Sequence, residues 1–287
     1  MNAAKSKLSY LFRSLKKRCL GFVSQCPNCG SKTGAVVDSK YGVTRLIQCA
    51  DCYLLYRTPT DTKLESDSYY QLEYQQGATT TMPDDKMLTD LKEKNFEDFS
   101  KSYLPYLRLF DALAFTKGTR ILDFGCSWGY GTYQLQRAGM SMEGFELSRA
   151  RAAFARDKLS LKVCSDLDEV GSDFDVFFSS HVLEHVSSLS ETFSIARRLT
   201  KPGGLLVSIT PNGSPEFRQA NPKSFHQLWG LSHPNLLQAT FLQNVFCGKP
   251  LFLGSDPYPL NAVSNWNRIE SVQSDLRGWE LLFIAVL

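Results

Sequence analysis

No apolar run of about 18 residues occurs in the chain, which excludes a membrane-spanning helix. Net charge is small: 32 Lys and Arg against 29 Asp and Glu leave +3, too little for a protein dedicated to nucleic acid. Histidine is scarce. The four residues His181, His185, His226 and His233 are the whole supply of the side chain that best serves as a base near neutral pH. There is no internal repeat, no low-complexity tract and no apolar core of a secretory leader, and residues 1–24 contain no acid. What remains is ordinary globular composition, 43% apolar over 287 residues, enough for one large domain or a main domain with a small appendage.

The most informative stretch is Ile121-Leu-Asp-Phe-Gly-Cys-Ser-Trp-Gly-Tyr-Gly131. It reads as a buried strand, a glycine-rich turn and a helix, an arrangement that turns backbone N–H groups toward a nucleotide-like cofactor. Gly125 and Gly129 are expected to let the cofactor approach by removing Cβ atoms. A second strand, Met142-Glu-Gly-Phe-Glu146, ends in an acid 23 positions after Asp123, placed to accept both hydroxyls of a ribose. The glycine spacing fails the G-x-G-x-x-G pattern of dinucleotide sites. Asp123, just before the first glycine, would repel a pyrophosphate but would tolerate a cationic, phosphate-free cofactor such as S-adenosylmethionine.

In these residues the chain resembles the class I S-adenosylmethionine-dependent methyltransferases. The resemblance extends through Phe174-Asp-Val-Phe-Phe-Ser-Ser-His-Val-Leu-Glu-His-Val186 and Leu199-Thr-Lys-Pro-Gly-Gly-Leu-Leu-Val-Ser-Ile-Thr-Pro-Asn212, covering residues 100–287. It implies an α/β fold: a Rossmann-like, seven-stranded, mostly parallel sheet with helices on both faces and a last strand inserted antiparallel. Alternating apolar segments place strands at 120–124, 141–145, 161–164, 174–179, 204–210, 250–254 and 278–286, and helices near 128–138, 148–158, 190–199 and 235–246. The expected cofactor set is Asp123, Phe124, Gly125, Gly129, Glu146, Leu147, Asp166 and Ser180, with Asp166 near adenine.

Cys26-Pro-Asn-Cys29 and Cys49-Ala-Asp-Cys52 lie 19 residues apart. Two such turns complete a tetrahedral site of four thiolates, a closed shell suited to structural zinc. Disulfides or unrelated core cysteines are the alternative. Cys19, Cys126, Cys164 and Cys247 lack partners at metal spacing and read as small buried apolar residues. Gly30 follows the first knuckle, and Ala35-Val-Val and Arg45-Leu-Ile-Gln read as ribbon strands. The ribbon is expected to have a core of its own. This pattern predicts reduced thiols and a cytoplasmic setting. A zinc ribbon ahead of a class I domain resembles bacterial methyltransferases acting on sugars, polysaccharide precursors and other small molecules. Some C-methylating members carry a further C-terminal domain, whereas Gly278–Leu287 reads as the last strand of the core, which argues against sugar C-methylation.

Four segments follow: a basic amphipathic arm at 1–24, the ribbon at 25–60, a linker and helical lid at 61–100, and the methyltransferase domain at 101–287. In the arm, Leu8, Leu11, Phe12, Leu15 and Cys19 fall at helical spacing beside six basic residues, suggesting peripheral contact with an anionic inner membrane, a poorly ordered arm, or a helix packed on the domain. The resemblance implies that the segment at 61–100 folds over the cofactor as a lid, with Tyr69, Tyr70 and Tyr74 facing the pocket or, the preferred reading, packing; one helical run is expected from Asp85 to Phe115.

His181-Val-Leu-Glu184-His185 matches H-x-x-E-H, yet it follows a strand directly, where active-site loops emerge, and does not fit a peptidase helix. Related methyltransferases have Leu-Glu-His here, and some bind a metal through Glu-x-x-Glu-His; this chain has His181 in place of the first Glu. An alcohol acceptor needs a base, in order of preference His181, His185 and His233. The Asn/Asp-Pro-Pro-Tyr/Phe signature of amino-group methylation is absent, and Ser179-Ser180-His181 stands there instead. The expected function is O-methylation of a sugar, glycan precursor or other small molecule. The alternative is RNA methylation through the ribbon, whose Lys32, Lys40, Arg45 and Arg57 exceed Asp38 and Asp51 only modestly.

Overall fold

The computed structural model describes residues 3–62, 64–65, 81–96 and 102–287, with residues 3–7 as backbone only. Tyr69, Tyr70 and Tyr74, and with them the expected lid, lie outside the described residues.

Strands buried on both faces read as continuous apolar runs, and these runs form the centre of the sheet. β4 (Arg120–Phe124) lies between β5 (Ser141–Phe145) and β7 (Phe174–Ser180), all parallel, with Ile121 opposite both Met142 and Val176. β6 (Val163–Cys164) extends this row beyond β5, and β8 (Thr200–Pro211) pairs parallel with β7. β12 (Glu280–Val286) is antiparallel to both neighbours, β8 and β10 (Leu251–Ser255), so the expected antiparallel insertion is present. An eighth strand, β11 (Val272–Gln273), lies outside β10 and corrects the expected count of seven. The Lys-Pro-Gly-Gly turn is a bulge inside β8, with Phe174 opposite Thr200 and Val176 already opposite Leu205.

Alternate residues feed the two faces. Ile121, Val176, Phe178 and Ile284 pack under α3 (Leu104–Ala112) and α10 (Leu260–Ser264). Leu122, Phe124, Phe177, Leu206 and Phe283 share a core with Phe193 of α6 (Leu189–Leu199) and Phe241 of α9 (Ala239–Val245). α2 (Asp85–Glu93), α4 (Tyr130–Arg137) and α5 (Arg149–Leu159) gather Leu88, Phe96, Trp128 and Ala155 at the β6 edge. The single helix expected over 85–115 is thus two. α2 stops at Glu93, and Asn95 and Phe96 then take positive φ, which turns the Phe96 ring into the core. Ser160, at φ 53, ends α5 and leaves β6 shorter than expected.

The ribbon strands β1 (Gly34–Lys40), β2 (Thr44–Cys49) and β3 (Leu55–Thr58) form an antiparallel sheet. Its fourth strand is β9 (Asn235–Leu236), with Leu55 opposite Leu236, and here a helix had been expected to begin. Asn235 and Leu236 serve the ribbon's ladder, so α9 starts only at Ala239. α7 (Pro215–Ala220) and α8 (Pro222–Leu228) cover this sheet, burying Phe217, Phe225 and Trp229 against Leu46 and Leu55. Cys26, Cys49, Cys52, Leu54 and Tyr56 pack in the same core as Phe193 and Phe241. The expectation of a separate ribbon core is therefore corrected: the ribbon and the large sheet share one.

α1 (Ala3–Cys19) docks through Tyr10 and Ser14, while Leu8, Phe12 and Leu15 are 68%, 71% and 48% exposed. No helix among the described residues is long and apolar enough to cross a membrane.

Candidate active site

The carboxyl ends of β4, β5 and β7 are adjacent, and their loops form one crevice, the usual place for ligands in open α/β sheets. Two loop residues other than glycine take left-handed backbone there, Ser127 at φ 54 and His181 at φ 55. Such conformations cost about 1–3 kcal/mol each and persist where surrounding contacts impose them.

Asp123 is 1% exposed, and its Oδ2 accepts a 2.7 Å hydrogen bond from the Thr132 hydroxyl. Burial pushes its carboxyl up to about 7, opposed by that hydrogen bond and reinforced by the charge of Glu146. Glu146 ties two loops together: Oε2 accepts from the Ser127 amide at 2.9 Å and Oε1 from the Ser148 amide at 2.8 Å. Burial raises its pKa, against those amides and the nearby Arg151 charge. Arg151 Nη1 in turn donates to Ser127 Oγ at 2.7 Å.

Both glycines are in close contact with neighbouring elements. A Cβ on Gly125, at φ +83, would lie 2.4 Å from Val182 Cγ2, so this glycine lets the loop after β7 approach. A Cβ on Gly129 would meet Leu161 Cδ1 at 2.7 Å and Ala155 Cβ at 2.9 Å, so it serves packing at the β6 edge. Phe124 is a core ring, its centroid 5.1 Å from Phe145 and 4.9 Å from Phe177. Its side chain is therefore not on the crevice. Leu147 is 36% exposed, and Asp166 is exposed, accepting from the Asp168 amide at 3.0 Å. Ser180 Oγ donates to Tyr106 Oη at 3.1 Å.

Beyond Ser180 the polar groups converge. His181 Nε2 lies 2.9 Å from Glu280 Oε1, and its Nδ1 lies 3.4 Å from Glu184 Oε1. Burial disfavours its charge, yet the two carboxylates push its pKa up to about 10. A charged imidazole donating from both nitrogens has no lone pair for a proton, which removes His181 from first place among the bases. Glu184 is fully buried; its Oε2 accepts from Thr210 Oγ1 at 3.0 Å. Against burial, the His181 hydrogen bond and the neighbouring imidazoles hold it down to about 2.

His185 is lowered, chiefly by burial, and Glu184 only partly compensates. Its Nδ1 faces the Ser232 carbonyl, so the neutral ring carries its proton there, and its Nε2 lies 3.8 Å from Glu184 Oε1. His233 donates from Nδ1 to the Leu228 carbonyl at 2.6 Å and lies edge-on to His185, centroids 4.9 Å apart. Glu184, His185 and His233 offer ligand atoms within 4.8 Å of one another, a spacing that admits a divalent ion. His226 is elsewhere, with Nδ1 2.7 Å from Asp38 of the ribbon, which also accepts from Trp229 Nε1 at 2.8 Å.

Sequence reasoning missed Tyr106, Tyr258 and Glu280. Tyr106 and Tyr258 lie with ring centroids 6.2 Å apart, and the Tyr258 hydroxyl donates to Glu280. Glu280 lies 99 residues from His181, beyond any local spacing signal.

In the ribbon, Cys26 Sγ lies 3.5 Å from Cys52 Sγ and Cys29 Sγ 3.5 Å from Cys49 Sγ, all four thiols free and within 4.8 Å of one another. That excludes disulfides, whose sulfurs lie about 2.05 Å apart. Of the four unpaired cysteines, Cys126 and Cys164 are buried as expected, but Cys19 and Cys247 are exposed.

This fold, with acids ending its first two parallel strands beside a glycine turn, defines the class I S-adenosylmethionine-dependent methyltransferases. A family model described as a methyltransferase domain matches residues 95–247, more than half of the sequence, and the chain belongs to that family. The ubiquinone biosynthesis O-methyltransferase of Nitrosococcus oceani is 31% identical over 133 residues, covering 43% of this chain and 55% of that protein. Its counterpart in Cereibacter sphaeroides is 32% identical over 118 residues, covering 38% and 45%. The chain thus spans about half the length of the curated relatives it matches. Geranyl diphosphate C-methyltransferase from Streptomyces coelicolor A3(2) shares the fold at 18% identity, with a TM-score of 0.51 over 79% of this chain and 98% of that one.

Proposed function

We propose that the chain transfers the methyl group of S-adenosylmethionine to a hydroxyl of a small molecule, with a sugar or glycan precursor as the acceptor class. The observation that carries this reading is the loop after β7. It carries Ser180, His181 and His185 beside the turn after β4, where Val182 faces Gly125, and His185 is lowered toward its neutral form with Nδ1 on the Ser232 carbonyl. The relatives' names, O-methyltransferases acting in ubiquinone biosynthesis, agree with a hydroxyl acceptor.

In this reading Glu146 exchanges its amide contacts for the ribose hydroxyls, and Asp123 faces the cofactor's ammonium group. Gly125, Leu147 and Ser180 border the cofactor, with Asp166 toward adenine. The cofactor supplies an electrophilic sulfonium methyl. The chain aligns the acceptor, excludes water and removes one proton, and these are the tasks of such a site. His185 takes that proton, His233 orients it, and the His181 imidazolium neutralises Glu184 beneath it.

Zinc bonds of about 2.3 Å in a tetrahedron set sulfurs about 3.8 Å apart. The 3.5 Å pairs fit a structural zinc held by Cys26, Cys29, Cys49 and Cys52. RNA is disfavoured because the ribbon's four cations, Lys32, Lys40, Arg45 and Arg57, exceed Asp38 and Asp51 only modestly. We divide the chain into arm 1–24, ribbon 25–60, lid 61–100 and catalytic domain 101–287. The outward Leu8, Phe12 and Leu15 stripe, beside Lys16 and Arg18, suits a cytoplasmic enzyme resting on an anionic inner-membrane surface.

Incubating the protein with methyl-labelled cofactor and fractionated metabolite pools tests the activity. Label should enter a base-stable ether fraction, and His185→Gln should abolish transfer while still binding S-adenosylhomocysteine. Label confined to amines or RNA would overturn O-methylation. Sedimentation with anionic vesicles tests the arm: the full chain should pellet at low salt, and Phe12→Ser should reduce it.

A further inference from the structure

Between α1, the ribbon and the loop after β7 lies a small cleft of about 50 Å³. Arg13, Arg57, Thr60, His185, Ser187 and Ser232 line it. The cleft therefore reaches the imidazole placed at the reacting end of the site.

Arg57 is the unusual member. Its side chain has no exposed surface, and its guanidinium carbon lies 5.0 Å from the centroid of the Tyr10 ring. Nη2 donates to Asp61 and the Tyr10 hydroxyl lies close by, while Nε and Nη1 meet no partner with hydrogen-bond geometry among the described residues. A buried guanidinium with unmet donors is a costly arrangement. An anion seated in the cleft would satisfy them.

The charge count has the same sign. Two acids also line the cleft, Asp61 and Glu65. Asp61 is taken by Arg57, and Glu65 by Lys17, which reaches it from α1. Arg13 forms no ion pair among the described residues and is left as the surplus cation. Two guanidiniums with the hydroxyls of Thr60, Ser187 and Ser232 match a tetrahedral group with three free oxygens better than a carboxylate with two.

Resting on the O-methyltransferase reading above, we propose that this cleft binds the phosphate or diphosphate of the acceptor. The acceptor is then a phosphorylated small molecule, anchored by Arg57 and Arg13 with its reacting hydroxyl toward His185. The ribbon and α1 contribute substrate-binding residues and are more than a structural appendage. This also explains how one cofactor domain can select an acceptor: its anionic end is read by residues outside the Rossmann-like sheet.

Isothermal titration of the full, zinc-loaded chain with inorganic pyrophosphate, phosphate and acetate tests this, with S-adenosylhomocysteine titrated into the same samples. Pyrophosphate should bind saturably and more tightly than acetate. Arg13→Gln, at the rim, should weaken pyrophosphate about tenfold or more, and so should Arg57→Lys where it folds. No saturable pyrophosphate binding, equal affinity for acetate, or an unchanged Arg13→Gln would overturn the phosphate site while leaving the methyltransferase reading intact. Pyrophosphate binding without S-adenosylhomocysteine binding would overturn that reading and the acceptor assignment built on it.

Discussion

The buried carboxylate of Glu184 lies 3.4 Å from Nδ1 of His181, and this contact divides two nearby histidines into a charged one and a neutral one. His181 is raised from 6.5 to about 10, so its contribution to folding is complete below about 6.5 and lost as pH rises through 10. Glu184 is lowered from 4.5 to about 2, so its contribution is complete above 4.5 and lost as pH falls toward 2. The pair should therefore stabilise most between these windows, from about pH 4.5 to about pH 6.5. Urea unfolding should find His181→Gln least stable relative to wild type in that range, with the gap narrowing toward pH 10. A gap independent of pH would refute the ion pair.

Asp123 has the opposite sign. Its native carboxyl is raised from 3.8 to about 7, so ionising it in the empty crevice costs stability as pH rises through that range. A bound ammonium group favours the ionised form, so binding should release a proton near neutrality. S-Adenosylhomocysteine affinity in wild type should fall as pH drops from about 8 to about 6, the range spanning its raised pKa. Asp123→Asn should bind more weakly, without that slope. A matching slope in the mutant would assign the proton elsewhere.

At Gly125, an added Cβ meets Val182 at 2.4 Å in a left-handed backbone. Gly125→Ala should lose about 1–3 kcal/mol of stability, part from the clash and part from φ. Adding Val182→Ala should recover the clash and leave the φ component. Strictly additive losses in the double mutant would mean that the two loops do not touch.

Metal removal should be felt globally. Cys26, Cys49 and Cys52 pack in one core with Phe193 and Phe241, so a chelator should lower the unfolding temperature of the whole chain in a single transition. Cys29→Ser should do the same. Hydrogen exchange confined to residues 25–57 after chelation would restore the idea of an independent ribbon.

Much of the central sheet is legible in the sequence because parallel strands bury both faces. Ile121 to Phe124 and Phe174 to Phe178 therefore stand out as runs. The acids ending β4 and β5 are legible for the same reason, since each closes a recognisable strand. β9 is not: two residues paired with Leu55 and Tyr56, some 180 positions away, carry no local period. Arg57 reads as a surface cation because residue type says nothing of burial, although Asp61 four residues on is a faint signal of its ion pair. His181 is half legible. Glu184 lies three residues away, but Glu280, which completes its charge, lies across the sheet. Gly129 looks like a cofactor glycine because its neighbour Leu161 comes from a different βα unit.

The pairing of β3 with β9 bears on how the chain is made. The first three ribbon strands leave the ribosome early, yet the outer edge of β3 has no partner until residue 236 has been synthesised. Through that interval Leu55 is uncovered, and an open strand edge is a template for wrong pairing. Closure joins segments far apart in the chain, the kind of contact that forms slowly. Cells making this protein quickly should accumulate a nascent species with an intact thiol cluster and an unpaired edge, and that species is the one expected to need a chaperone.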